Sequence, residues 1–255
     1  TLKPLAEATD APKQWISDIK FSPDGGMLAV GGHDNMIHLY KFKLIKSDSG
    51  SMTCSLTLKC KFTKHNASIS HFDFSSDGRY LQSNCNAYEL LFCDTNNGKQ
   101  ITSATQLKDV SWSSWTCALG WPVQGIWADG MDGSDVNTVS RSHAGHLVAS
   151  GDDFGIVNLF RYPCNETKAS GLKFKGHSSH VMNLRWSIGD GYLISVGGDD
   201  KCVFQWKHVM GEAGGTSGNT ADDDDEDTVE FLSNNNNASG NTNNSSSSSS
   251  IFRFV

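Results

Sequence analysis

Stretches of alternating apolar and polar residues recur along residues 1–210. In each stretch one polar residue separates two apolar ones, which is the period of a β-strand with one buried face. Turn residues such as Pro23-Asp24-Gly25 follow, because proline fixes φ and glycine permits a positive φ. The pattern predicts short strands joined by tight turns. The apolar pairs are Ile19/Phe21, Phe72/Phe74 and Leu184/Trp186.

Segments of similar sequence recur along the same region, which indicates an internal repeat. Each aligned segment has a turn rich in small residues followed by an apolar strand. Further strands are predicted at 55–62 and 168–175, which gives units of several strands. The aligned segments are VGGHDNMIHLY (30–40), SNCNAYELLFC (83–93), SGDDFGIVNLF (150–160) and VGGDDKCVFQW (196–206).

The spacing of the units favours a β-propeller. A four-stranded propeller blade occupies roughly 40 to 50 residues, and the longer steps here carry insertions. The largest insertion lies between about 111 and 138. We therefore predict an all-β propeller with about four recognisable blades over 1–210. The spacing is measured between Phe21, Phe74, Ser140 and Trp186.

Composition supports this class and excludes others. The 25 glycines and 10% aromatic residues suit strands with tight turns. Residues 1–210 balance acid against base, so we expect no nucleic-acid partner. No apolar stretch is long enough for a membrane helix, so we expect no membrane span. Seven scattered cysteines without a C-x-x-C pair predict reduced thiols in the cytoplasm, and no cofactor.

The net charge of −7 belongs to the C-terminal tail, 211–255. This segment contains ADDDDED followed by runs of Asn and Ser, and it has too little apolar surface to offset the entropy of ordering. We predict that the tail is disordered. The alternative is an acidic arm for a basic partner.

The units resemble WD repeats, and the fullest copy runs from Gly176-His177 to Trp206, with Asp200 six residues before the tryptophan. In WD repeats these residue types and a serine, here Ser195, form a buried hydrogen-bond network. The second copy has Ala87 where the aspartate belongs. The resemblance assigns structural blade positions in the other copies to Asp34, Tyr40, His65, Ser83, Asp153 and Phe160. Because WD propellers need more than four blades to close, we expect further blades upstream of Thr1 and an apolar face on each end blade.

Other combinations suggest chemistry, but packing explains them better. His177, Ser195 and Asp200 are the types of a catalytic triad, yet no G-x-S-x-G elbow is present. The aspartates at 129, 132 and 135 lack calcium-loop spacing, and the histidines at 143 and 146 lack a third ligand. We therefore predict no catalytic residue and no metal site.

Four tryptophans cluster in the insertion, at 112, 115, 121 and 127. Packing of an atypical blade is one explanation. The other is that Trp121 and Trp127 are exposed interface anchors, since tryptophan is favoured at the centre of protein interfaces.

The sequences SWSSWTCALGWPVQGIWADGMDGSDVN (111–137), SGDDFGIVNLFRYPC (150–164) and GHSSHV (176–181) resemble the echinoderm microtubule-associated protein-like family. The resemblance implies tandem propellers after a basic, oligomerising N-terminal region, with this chain forming the last blades of the second. It also implies a non-enzymatic module of the cytoplasm and cytoskeleton that binds tubulin or microtubules.

Two other functions remain open. One is a WD-type adaptor for a partner outside the cytoskeleton, which fold alone does not exclude. The other is a propeller enzyme, for which a nucleophile motif is missing. Because the body is neutral and the tail acidic, we expect weak binding to the acidic microtubule surface and a preference for soluble tubulin.

Overall fold

The computed structural model describes residues 4–8, 10–46, 52–167, 169–211 and 249–254. Within these residues the chain forms fifteen strands, arranged in four antiparallel sheets. The sheets follow one another along the sequence, and the first strands of adjacent sheets run side by side, β1 (Ile16–Phe21) with β5 (Ile69–Phe74), and β8 (Val136–Arg141) with β12 (Val181–Trp186). The predicted all-β, partial propeller is confirmed.

Blades 1 and 3 have four strands each. Blade 1 consists of β1, β2 (Met27–Gly32), β3 (Ile37–Lys46) and β4 (Met52–Phe62). Blade 3 consists of β8, β9 (Leu147–Asp152), β10 (Ile156–Arg161) and β11 (Leu172–Lys175). The fourth strands predicted at 55–62 and 168–175 are therefore present, although β11 is shorter than the predicted stretch.

Blades 2 and 4 differ in their outer strand. Blade 2 has three strands, β5, β6 (Tyr80–Cys85) and β7 (Leu90–Asp94). Blade 4 contains β12, β13 (Tyr192–Gly197), β14 (Val203–Gly211) and β15 (Ser249–Phe254).

Strand β15 departs from the predicted disorder of 211–255. It pairs antiparallel with β14, with Trp206 opposite Phe254 and Gly211 opposite Ser249. The prediction does not hold for these six residues, because β14 offers an outer edge along which an apolar segment can pair. The acidic and Asn/Ser runs at 212–248 lie outside the described residues.

Each blade carries the same irregularity near the start of its first strand. The register shifts by one residue between positions 16 and 18, 69 and 71, 136 and 138, and 181 and 183. Such a bulge bends the strand and re-aims its side chains. Its recurrence is a further sign that the four sheets are copies of one unit.

Neighbouring blades bury a shared apolar core. Blade 1 packs against blade 2, and blade 3 against blade 4. Glycines allow this approach: a Cβ on Gly31 would lie 2.8 Å from the Ile69 side chain, and one on Gly151 would lie 2.5 Å from Val181. Stacking of sheets supplies the burial that one blade lacks.

The insertion separates blades 2 and 3. It contains two short 3₁₀ helices, Ala104–Gln106 and Trp121–Ile126. Its apolar side chains pack on the face of blade 3 that is turned away from blade 4. This third cluster contains Trp115, Val123, Ile126, Val136, Val139, Val148, Phe160 and Cys164.

The first blade exposes apolar side chains, as expected for an end blade. Ile16, Ile19 and Phe21 of β1 are each more than half exposed. Tyr40 on the same sheet is buried, and its hydroxyl donates to the Asp10 carbonyl oxygen at 2.9 Å. The described residues include no helix long and apolar enough to cross a membrane.

Candidate functional site

Blade 4 contains the complete network that the sequence predicted. His177 Nδ1 lies 2.8 Å from Asp200 Oδ2, and His177 Nε2 lies 2.8 Å from Ser195 Oγ. Trp206 Nε1 donates to the same serine oxygen at 2.9 Å. The network joins β13 and β14 to the segment that precedes β12, so it fastens the blade from inside.

The His177–Ser195–Asp200 set is buried, whereas a catalytic triad must be open to its substrate. Ser195 is completely buried, and the His177 side chain has no exposed surface. The serine oxygen already accepts the Trp206 N–H. A nucleophilic serine must reach a substrate carbonyl, and this hydroxyl does not.

Blade 2 has a related network with two substitutions. His65 Nε2 lies 2.7 Å from Ser83 Oγ, as its counterpart does in blade 4. The carboxylate is supplied by Glu89, whose Oε2 lies 3.3 Å from His65 Nδ1. Sequence analysis missed Glu89, because it lies four residues before Cys93, whereas Asp200 lies six residues before Trp206, and Ala87 occupies the aligned position. The tryptophan position is taken by the buried Cys93.

The Glu89 carboxylate is strongly stabilised as the anion. The Asn66 backbone N–H donates to it at 3.0 Å, and the Cys85 thiol donates at 3.1 Å. These bonds lower the pKa of Glu89 to about 2. Burial lowers the pKa of His65, although Glu89 opposes that effect. A thiol therefore lies beside a histidine and a carboxylate.

Blade 1 retains only fragments of the pattern. Asp34 Oδ2 lies 2.8 Å from Nε2 of His38, a residue on the following strand of the same blade. The side chain of Tyr40 faces the segment at 4–14 instead of joining a His–Ser pair. These two predicted positions do not meet in one network.

Blade 3 also lacks the full set. Asp153 accepts from Asn137 Nδ2 at 2.7 Å and lies 3.1 Å from His180 Nδ1. Its neighbour Asp152 holds the β9–β10 turn, accepting from the Ile156 backbone N–H at 2.9 Å. Phe160 belongs to the core beneath the insertion.

A buried aspartate on β5 joins blade 2 to the insertion, and sequence analysis did not select it. Asp73 is completely buried. Its oxygens accept from Ser114 Oγ at 2.5 Å, Thr116 N at 2.8 Å and Cys117 N at 3.2 Å. Backbone hydrogen bonds continue the contact, because Ser113 N donates to Phe74 O at 2.9 Å. The segment is thus fixed against β5.

Lys20 of blade 1 completes this charged cluster. Its ammonium nitrogen lies 3.3 Å from Asp73 Oδ1 and 3.1 Å from Asp18 Oδ2, and it also bonds Thr116. Burial alone would raise the pKa of Asp73, but Lys20 and the donors of the insertion hold it well below its ordinary value. Burial likewise opposes ionisation of Asp18, yet the nearby His71 ring, with Nδ1 at 3.7 Å, and the charge of Lys20 lower its pKa to about 2.

The outer side of the insertion forms an aromatic groove against blade 2. Its volume is about 500 Å³. Trp121 lies on its rim with 61% of its surface exposed. Trp127 is half-buried outside the groove, and its Nε1 donates to Ala118 O at 3.1 Å. The groove is lined by Gln82, Leu90, Phe92, Leu107, Lys108, Val110, Ser111, Trp112, Trp115, Gly120, Trp121, Pro122, Arg141 and Tyr162.

The charges of the aromatic groove are all positive. Its lining includes Lys108 and Arg141 and no carboxylate. Arg141 Nη2 donates to Trp112 O at 2.7 Å, and the guanidinium carbon lies 5.3 Å from the Tyr162 ring centre. The Nε atom of Arg141 is buried without a hydrogen-bond partner in the described structure. The groove therefore suits an apolar or aromatic group that carries negative charge.

The edge of blade 2 beside this groove is only partly paired. Ile101 N donates to Phe92 O, and Asp94 N donates to Lys99 O. These bonds cover the second half of β7. On the outer side of β7, the first half of the strand, at Leu90, has no further strand beside it in the described part of the chain, so this edge offers backbone groups to an added extended segment.

The aspartates and histidines that the sequence offered as metal ligands make contacts within loops. Asp132 accepts from the Ser134 backbone N–H at 2.7 Å, as in a tight turn. His143 Nδ1 lies 2.8 Å from Asp190 Oδ1. These contacts fix loops between strands.

The four repeated sheets and the interlocked His–Ser–Asp–Trp network define a WD-type β-propeller repeat protein. Comparison with known families agrees: residues 1–208 match the family described as the echinoderm microtubule-associated protein second beta-propeller. The chain belongs to the echinoderm microtubule-associated protein-like family.

Curated relatives support the assignment. The chain is 44% identical over 205 residues to human "Echinoderm microtubule-associated protein-like 2", covering 80% of this chain and 30% of the relative. It is 47% identical over 191 residues to the "77 kDa echinoderm microtubule-associated protein" of Strongylocentrotus purpuratus, covering 75% and 27%. It is 43% identical over 202 residues to "Echinoderm microtubule-associated protein-like 4" of Xenopus laevis, covering 79% and 21%. The chain thus spans less than a third of the length of these relatives.

Proposed function

We propose that this chain is a non-enzymatic interaction module that binds tubulin, as part of a longer microtubule-associated protein of the cytoplasm. The observation that carries the proposal is membership of a family whose curated members are named as microtubule-associated proteins. The further blades expected upstream belong to the same proposal, as does any oligomerisation through that region.

We assign the contact with tubulin to the aromatic groove. Trp121 is largely exposed, although tryptophan is a residue that proteins usually bury. The cations Lys108 and Arg141 have no carboxylate partner in the groove lining, and the microtubule surface is acidic. An exposed tryptophan beside unpaired positive charge is a favourable centre for an interface.

The overall charge argues for a weak contact with polymer. Residues 1–210 are neutral and the tail is acidic, so long-range attraction to an acidic lattice is absent. We expect the chain alone to bind soluble tubulin dimers more readily than microtubules.

The test is a pair of binding assays on the full chain. Binding to soluble tubulin is measured by anisotropy, and binding to polymer by co-sedimentation. Trp121→Ala should weaken dimer binding by about tenfold or more, since loss of an interface tryptophan commonly costs about 2 kcal/mol. The matched control is Ile188→Ala, which removes an almost fully exposed apolar residue of blade 4 and should leave affinity unchanged.

Two results would contradict the proposal. Tight, salt-resistant binding to microtubules would contradict the charge argument. Failure to bind tubulin in either form would favour the adaptor function, with a partner outside the cytoskeleton, and affinity purification would then identify that partner.

A further inference from the structure

The network of blade 2 contains a group that its counterpart in blade 4 lacks, the Cys85 thiol. We propose that His65, Cys85 and Glu89 form a binding site for one transition-metal ion of the Zn²⁺ type. This inference is independent of the proposed tubulin contact, because none of these three residues lines the aromatic groove.

The three side chains offer the right donor atoms at short range. His65 Nδ1, Cys85 Sγ and Glu89 Oε2 all lie within 4.8 Å of one another. Glu89 Oε2 lies 3.1 Å from the sulfur and 3.3 Å from the histidine nitrogen. Zinc takes nitrogen, sulfur and oxygen ligands at about 2.0 to 2.3 Å, which places an ion between these three atoms.

Surrounding contacts orient each ligand. Ser83 Oγ lies 3.4 Å from Leu91 O and 2.7 Å from His65 Nε2, so the serine can donate to the carbonyl and accept the Nε2 hydrogen. That tautomer leaves a lone pair on Nδ1, directed at the carboxylate. Asn66 holds Glu89 through its backbone N–H at 3.0 Å. Metal-bound histidines and carboxylates usually have such supporting partners.

Without a cation this tautomer places two acceptors, Nδ1 and the Glu89 oxygen, opposite each other. In the metal-free site the neutral Nδ1–H tautomer, which donates to Glu89 while Nε2 accepts from Ser83, removes this conflict. A bound metal ion relieves it as well and also stabilises the thiolate of Cys85. In blade 4 the serine oxygen also accepts the Trp206 N–H.

Blade 4 also has no room for the thiol. Gly197 occupies the position equivalent to Cys85, two residues after the network serine. A Cβ there would lie 1.9 Å from Asp200 Oδ1. In blade 2 the carboxylate lies six residues after the network serine instead of five, and it is carried by a longer side chain. Space for a sulfur ligand therefore exists only in blade 2 of these two networks.

The site is reachable from solvent. The Glu89 side chain is 23% exposed, whereas the His65 side chain is buried. Three protein ligands leave a fourth position for water, as in many zinc sites that are not fully enclosed. An ion can therefore enter along the carboxylate without opening the blade.

The test is a titration of the purified, chelator-treated chain with Co²⁺, followed by displacement with Zn²⁺. The background carries Cys202→Ser, because Cys202 is the exposed thiol among the described cysteines. We expect one equivalent of Co²⁺ to give a thiolate-to-metal charge-transfer band, which Zn²⁺ abolishes. Absence of this band in the parent chain would overturn the proposal.

Two variants locate the site. Cys85→Gly, which supplies the residue of blade 4, should abolish the band, and the matched control Cys60→Ser should retain it. A band that persists in Cys85→Gly would identify binding elsewhere and overturn the assignment. Because loss of Cys85 can also affect folding, Glu89→Gln provides a second test: it retains the side-chain shape and should weaken Co²⁺ affinity by about tenfold or more. Unchanged affinity in Glu89→Gln would contradict the site.

Discussion

Different buried hydrogen bonds stabilise the first three strands of blade 2 and of blade 4. In blade 4 a tryptophan on β14 completes the histidine network, since Trp206 Nε1 donates to Ser195. In blade 2 the equivalent position is Cys93, which has no such donor, and the blade is fixed instead by Asp73 to the insertion. The difference shows that a repeat can lose part of its own network when a neighbouring segment provides new buried contacts.

The insertion has two distinct sides as a result. Its inner side bonds Asp73 and packs on blade 3 through Trp115. Its outer side exposes Trp121 beside Arg141. The inner contacts hold the segment still, and a rigid segment presents its outer residues at lower entropic cost to a partner.

The largest effect on the free energy of unfolding is expected at the hydrogen bonds between blade 2 and the insertion. Asp73→Ala should lower the free energy of unfolding by about 3 to 5 kcal/mol, because it leaves the buried donors of the insertion without an acceptor and removes one of the two carboxylates that face Lys20. Urea denaturation measures this loss. Asp199→Ala, at an exposed aspartate of blade 4, is the control and should change stability by no more than about 0.5 kcal/mol. Equal effects of the two variants would contradict the role of Asp73.

The next largest effect is expected at the histidines of the two networks, His177 in blade 4 and His65 in blade 2. His177→Ala should destabilise by about 2 to 3 kcal/mol and His65→Ala by about 1 to 2 kcal/mol, since buried partners left unpaired cost about 1 to 3 kcal/mol. The ranking follows from geometry: His177 has two contacts at 2.8 Å, whereas His65 has a longer contact of 3.3 Å with a partly exposed carboxylate. Denaturation of both variants under one condition tests this ranking, and the reverse order would contradict it.

Acid should act through the charged cluster of blades 1 and 2. Asp73 and Asp18 have pKa values below the ordinary range, about 2 for Asp18. The unfolded chain therefore takes up protons first, so their stabilisation is present above about pH 4 and is lost as pH falls toward 2. Stability measured across this range should decline less steeply in Asp73→Asn than in the parent chain. Identical slopes would mean that Asp73 does not contribute.

The smallest effect on stability is expected on the outer side of the insertion. Trp121→Ala should change the free energy of unfolding by less than about 0.5 kcal/mol, because the side chain is mostly exposed. Trp115→Ala, on the inner side, should cost about 3 to 5 kcal/mol, since it empties a buried site. Thermal and urea unfolding of the pair compare the two sides, and a large loss in Trp121→Ala would place that residue in the core instead.

The regular parts of the fold could be predicted from the sequence because their signals are local. Alternation and turn residues locate the strands, and the spacing of His177, Asp200 and Trp206 identifies the network of blade 4. Glu89 was missed because the turn of blade 2 is one residue shorter than that of blade 4 and the carboxylate lies four residues, not six, before the position of the tryptophan. Asp73 was missed because a single polar residue between two phenylalanines predicts a solvent-facing side chain, whereas the innermost strand is covered by the insertion.

The insertion and β15 depend on contacts between distant residues. No periodic pattern indicates that Thr116 and Cys117 lie against β5, because those bonds join positions more than forty residues apart. For β15, the low-complexity run before Ser249 dominates the composition and predicts disorder. Its pairing depends on the outer edge of β14, which forms only when blade 4 folds.

Hydrogen exchange of the chain with and without soluble tubulin tests most directly whether the outer side of the insertion is the binding surface. The account predicts slower amide exchange on binding at β7 and at 107–121, with no change in β12 and β13. Protection confined to blade 4, or to the exposed face of blade 1, would contradict it.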